Sequence, residues 1–127
     1  MTPDAPEPAP DGDLAPWKGF KHLPDPEKRE LAWLGDAVLG LWARAWLNAR
    51  GRGTDQDAFA RMTSNQFLSA FGQPDAVEAW IGKGFLEHGF NAIAEELEAR
   101  LLPTYLRQEA NGINLKRPSG SRRDKRR

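Results

Sequence analysis

The stretch ELAWLGDAVLGLWARAWLNARGRG, residues 30–53, decides how the rest of the chain is read. Leu31, Leu34, Val38 and Leu41 recur at spacings of three and four, and Trp42 and Trp46 widen the apolar stripe. That periodicity is helical. Upstream, Asp25-Pro26 supplies a start: Asp serves as N-cap, and Pro suits the first helical position because the amide it lacks has no intrahelical partner. The helix is expected to stop near Gly51. On one side of it Ala32, Asp36 and Gly40 stack at four-residue spacing. Glycine inside a helix costs about 1 kcal/mol relative to alanine, so Gly40 implies close approach of another backbone or of a ligand.

Working outward, Thr54-Asp55-Gln56-Asp57 reads as a second helix start of capping-box type, with Phe59, Met62, Phe67 and Phe71 following as far as Gly72. A third begins at Pro74 and runs through DAVEAWIGKGFLEHG, with Val77, Trp80, Ile81 and Phe85 on one side. The last helical stretch extends from about Asn91 to Gln108 and is kinked or split by Pro103. No alternating strand pattern and no internal repeat is present, so the expected class is all-α. Residues 1–20 read as a disordered, acidic, Pro-rich leader, with Trp17 and Phe20 able to dock it. Residues 21–110 read as the helical domain, and 111–127 as a basic flexible tail.

The 127-residue chain has no Cys, which excludes disulfides, thiolate metal sites and a cysteine nucleophile. Its net charge of zero is segregated. Residues 116–127 carry seven Lys or Arg against one Asp, and the preceding residues eleven against seventeen. An acidic body with a basic tail suits a nucleic-acid partner, or equally a solvated tail. No apolar run is long enough to span a bilayer, and the amino-terminal order is unlike a secretory signal. The expected location is the cytoplasm.

On the third helix Asp75, Glu78 and Gly82 share a side. If this stripe faces that of Ala32, Asp36 and Gly40, the small residues let the helices approach and Asp36, Asp75 and Glu78 converge. Unpaired carboxylates repel one another, and a hard divalent cation relieves that conflict. Mg²⁺ takes oxygen ligands, activates water and polarises a phosphoryl oxygen. The alternative is structural: Asp75 lies in a first turn, where a negative side chain is favoured, and Glu78 is then an ordinary solvated residue.

Leu31-Ala32-Trp33-Leu34-Gly35-Asp36-Ala37-Val38-Leu39 resembles the ribonuclease III signature L-E-F-L-G-D-A-V-L. Asp75-Ala76-Val77-Glu78-Ala79-Trp80-Ile81-Gly82 is similar to that family's second acidic motif, D-A-F-E-A-L-I-G. The resemblance implies an all-helical domain that dimerises, holds double-stranded RNA in a valley between subunits and cuts it with Mg²⁺ (or Mn²⁺ in its place). Carried over by position, Asp36, Asp75 and Glu78 are the catalytic and metal-binding residues.

Three features depart from the family pattern. Ala32 replaces the signature Glu, and Arg29 stands where an acidic residue is usual. Glu30, about 120° around the helix from Asp36, does not compensate. Ala32 matches the Mini-ribonuclease III branch, which lacks a double-stranded-RNA-binding domain and whose expected substrate is precursor ribosomal RNA. Only 38 residues separate Asp36 from Asp75, a short interval for the family. Lys83-Gly84 follows Gly82 where the family is more apolar, and Lys83 is placed to neutralise a carboxylate or contact a phosphate. Further RNA-binding candidates are Arg61, Asn65 and Gln66 on the second helix and Lys116, Arg117, Arg122, Arg123, Lys125, Arg126 and Arg127 in the tail. His22 and His88 lack partners at ligand spacing. Two other readings stay open: an inactive relative that binds RNA or ribosomal components, and a helical protein–protein module.

Overall fold

The computed structural model describes residues 15–112. The tail candidates from Lys116 to Arg127, and residues 1–14 of the leader, lie outside the described residues. The described chain is all-helical. A 3₁₀ turn, Lys18–His22, is followed by α1 (Asp25–Ala49), α2 (Gln56–Thr63), α3 (Asn65–Leu68), α4 (Pro74–His88), α5 (Phe90–Arg100) and α6 (Leu102–Ala110). No strand occurs among these residues. The chain falls into two compact units, one up to Glu95 and the other from Glu96.

Local chemistry sets the helix boundaries, with three shifts from expectation. The amide of Lys28 donates to the carbonyl of Pro24 at 2.9 Å, so Pro24 is the cap of α1 and Asp25 is its first residue. Asp25 makes no capping bond there. At α2 the cap is Asp55, which accepts from the Ala58 amide, and not Thr54. The helix expected to continue to Gly72 breaks at Ser64, whose hydroxyl accepts from the Phe67 amide at 3.0 Å and starts α3. Such local side-chain-to-backbone bonds compete with helix continuation. Pro103 does split the last stretch: α5 ends at Arg100, and α6 begins at Leu102 with the proline in its first turn.

In the first unit α1 and α4 are the central pair. Leu39, Ala43 and Leu47 of α1 and Val77, Ala79 and Ile81 of α4 are fully buried or nearly so. The 3₁₀ turn packs on α4, and α2 on α1. Trp17, placed by sequence in the leader, is only 2% exposed and belongs to this core. Its indole N–H donates to the Phe71 carbonyl at 3.1 Å, and its ring meets Phe71 and Trp80 edge-on. In the second unit Leu97, Leu101, Leu102 and Tyr105 are buried, and the Tyr105 hydroxyl bonds Glu109 at 2.9 Å.

The glycine that brings α1 and α4 together is Gly35, not Gly40. A Cβ on Gly35 would overlap the Glu78 carbonyl oxygen and lie 3.0 Å from the Gly82 nitrogen. One on Gly82 would overlap the Leu31 carbonyl oxygen and lie 3.1 Å from the Gly35 nitrogen. The two backbones therefore touch, which only residues without side chains permit. Gly40 faces elsewhere: its absent Cβ would meet Arg44 and Phe59, the latter from α2.

This contrast is testable. Gly35→Ala is expected to destabilise the fold by about 2–4 kcal/mol through forced backbone separation. Gly40→Ala should be neutral or slightly stabilising because helix propensity improves and only the tip of Arg44 must shift. Urea unfolding of the two variants checks both; equal effects would place the close contact elsewhere.

Candidate functional site: a carboxyl pair between α1 and α4

The glycine contact determines what stands beside it. Gly35 abuts the backbone of Glu78, and Asp36 is the next residue on α1. The two carboxyl groups share a hydrogen bond, and Asp75 lies close enough for its charge to act on Glu78. Three of the residues singled out by sequence are thus brought together. Their environments differ. Glu78 is 9% exposed, the sole buried charged residue among those described, while Asp36 and Asp75 reach solvent.

That difference controls the protonation of the pair. Burial pushes the Glu78 carboxyl up to about 7; the negative charge of Asp36, the hydrogen bond to Asp36 and the charge of Asp75 push in the same direction. Each effect disfavours the ionised form. Near neutrality Glu78 is therefore poised between donating a proton to the Asp36 carboxylate and standing beside it as a second anion. The chemistry available to such a pair is general acid–base transfer, or capture of a hard cation that replaces the proton. Carboxylate oxygens from adjoining helices suit Mg²⁺, which keeps waters in its remaining positions. Among the described residues, no group of three His, Cys, Asp or Glu is arranged to hold a metal ion. The arrangement is a proton-sharing pair with a third charge at its rim.

The other candidates are dispersed. Lys83 neither neutralises the pair nor stands free: its ammonium bonds Glu87 at 2.9 Å along the exposed face of α4. Arg61 is half-buried and acts electrostatically on Asp55, a role in the α2 cap region. Asn65 and Gln66 are exposed on α3. Ala32, at the signature Glu position, is 7% exposed and packed in the core. Glu30 lines a shallow surface depression with Pro26, Arg29 and Trp33, so it belongs to a different face. His22 and His88 are exposed.

Sequence reasoning did not find the role of Gly35. The signal was present in Leu34-Gly35-Asp36, a glycine inside a helix that terminates no stripe and caps no end. No family model, curated protein or solved structure matches this chain.

The raised Glu78 pKa makes stability depend on pH with a definite sign. Between about 4.5 and 7 the folded chain keeps a proton that the unfolded chain has released, so this contribution is fully present below pH 4.5 and is lost as pH rises through 7. Glu78→Gln should remove that fall, with a difference on the order of 2 kcal/mol between pH 5 and pH 8. Denaturant midpoints at both pH values for wild type and variant measure it; parallel profiles would show that the pair is not sharing a proton.

Proposed function

We propose that this chain is a divalent-metal-dependent endoribonuclease of ribonuclease III type that hydrolyses double-stranded or structured RNA. The observation that carries this reading is the convergence of Asp36, Glu78 and Asp75 across the α1–α4 contact, in the two motifs whose spacing resembles that family. In this reading Asp36 and Glu78 hold Mg²⁺, with Mn²⁺ able to replace it, and Asp75 contributes at the rim. The bound ion supplies a Lewis acid at the phosphodiester and a water of lowered pKa. The residues themselves would position the ion, which would take the place of the proton at the Glu78 carboxyl. Precursor ribosomal RNA in the cytoplasm is the substrate that the resemblance to the miniature branch favours. Among the described residues no helix is long and apolar enough to cross a membrane.

A homodimer belongs to the same proposal. On the outer side of α1, Trp33 is 82% exposed and Leu41 54% exposed, with Ala37 between them at four-residue spacing. Apolar side chains of this size in a continuous row on one helix are what a partner surface covers. A substitution of Trp33 by Glu is expected to shift the protein toward monomer in sedimentation velocity.

A second reading is supported by Ala32. The buried methyl group where the family signature places a carboxylate leaves the site one acid short, which suits a chain that keeps the fold to bind RNA or ribosomal components without cutting. One experiment separates the two. Long double-stranded RNA incubated with full-length protein should be cleaved only with Mg²⁺, and Asp36→Asn should lower the rate at least 100-fold, a loss of about 3 kcal/mol or more in transition-state stabilisation. Binding without cleavage, unchanged in the variant, would establish the scaffold reading.

A further inference from the structure

The geometry points to Arg44 as a phosphate-contacting positioning residue that seats the RNA backbone about one helical turn from the Asp36–Glu78 pair. This inference rests on the reading that the chain binds RNA at that pair.

Arg44 is exposed but not loose. Its guanidinium lies over the Phe59 ring, 4.1 Å from the centroid, so a side chain from α1 is held in place by one from α2. Stacking on a ring face uses the flat surface of the guanidinium and leaves its N–H edge available. Several other cations of the described chain have donors engaged by nearby oxygens. Arg52 bonds Asp55, Arg100 bonds Glu96, Lys83 bonds Glu87 and Arg50 bonds the Trp46 carbonyl. Among the described residues no carboxylate pairs with Arg44, which is held by its stack on Phe59.

Its direction links it to the carboxyl pair. Asp36 and Gly40 are neighbours at four-residue spacing on α1, and Arg44 follows one turn further on, about 80° around the helix from Asp36. The Arg44 side chain leans back over Gly40, with Nη1 only 3.3 Å from the position a Gly40 Cβ would occupy. The guanidinium thereby lies beside Gly40, one turn along α1 from Asp36. Gly40 and Asp36 are about 6 Å apart along the helix axis. Gly40, unexplained by the α1–α4 contact, acquires a physical reason.

The chemistry fits an anionic polymer. Three carboxyl groups repel a phosphodiester, and a cation held between them neutralises only its immediate surroundings. A guanidinium fixed one turn away takes a neighbouring phosphate by two parallel N–H bonds without joining the reaction. Contacts of that kind fix register and carry no sequence preference, which is what recognition of double-stranded RNA by shape requires.

The test uses full-length protein and a labelled double-stranded RNA, with affinity measured without divalent ions over a range of salt concentrations. Arg44→Gln should weaken binding roughly 3- to 10-fold and reduce the slope of log affinity against log salt by about one. Arg44→Lys should restore the slope. Phe59→Leu, which keeps the charge but removes its platform, should lower affinity at unchanged slope. In Mg²⁺, Arg44→Gln should raise KM and leave kcat as in wild type. Wild-type affinity and slope in Arg44→Gln would overturn the assignment. So would a fall in kcat at constant KM, or a loss of thermal stability that Arg44→Lys does not restore. Wild-type protein that binds RNA but never cuts it defeats the nuclease reading while leaving Arg44 to be judged on the salt slopes. Wild-type protein with no affinity for RNA defeats both.

Discussion

The structure depends on one contact, the meeting of the α1 and α4 backbones at Gly35 and Gly82. Each glycine occupies the space in which the other helix has its peptide groups. A side chain at either position would push the helices toward the ordinary interaxial separation of 8–10 Å. The helices would then part where Asp36 and Glu78 share a hydrogen bond. Contact and site are thus a single feature. The same closeness that seals Val77, Ala79 and Ile81 into the core draws the Glu78 carboxyl out of water.

Burying that carboxyl beside Asp36 costs stability once it ionises, and the fold accepts the cost at a defined place. Protonation offsets it at low pH. Elsewhere the acidic side chains are handled differently. Asp55 accepts from a backbone amide and from Arg52, while Glu87 and Glu96 pair with cations one turn away. Three carboxyl groups left in mutual range concentrate electrostatic repulsion at one place in the fold.

The long helix α1 serves several neighbours around its circumference. One side touches α4 through Gly35; another carries Asp36 and Gly40 beneath Arg44; a third shows Trp33 and Leu41 to solvent. The Phe59 ring on α2 joins two of these roles, because it rests against the Gly40 side and supports Arg44. Trp17 has a comparable linking part at the other end of α4, where it holds the segment before α1 against Trp80 and Phe71.

Much of this was legible in the residues. The 3.6-residue periodicity of Leu31 to Trp46, the Pro74 start and the break at Pro103 follow from local rules, and local rules suffice for an all-helical class. An acidic stripe on each of two helices was legible too, since side chains four apart share a face, but the meeting of the two stripes was only a condition of the reading. What the sequence could not supply was azimuth. Nothing local distinguishes Gly35 from Gly40 as the contact residue, because both are glycines inside one helix and only the path of α4 selects between them. For the same reason Leu41, part of the apolar stripe, stands exposed, while Trp17, read as able to dock the leader, is buried. The exchange of Thr54 for Asp55 as a cap, and the break at Ser64, turn on which of several competent oxygens reaches an amide. Sequence alone thus determined the helices and the residues able to do chemistry. Tertiary structure decided which faces meet, and hence that Glu78 is the buried acid, because burial belongs to the neighbours a residue acquires.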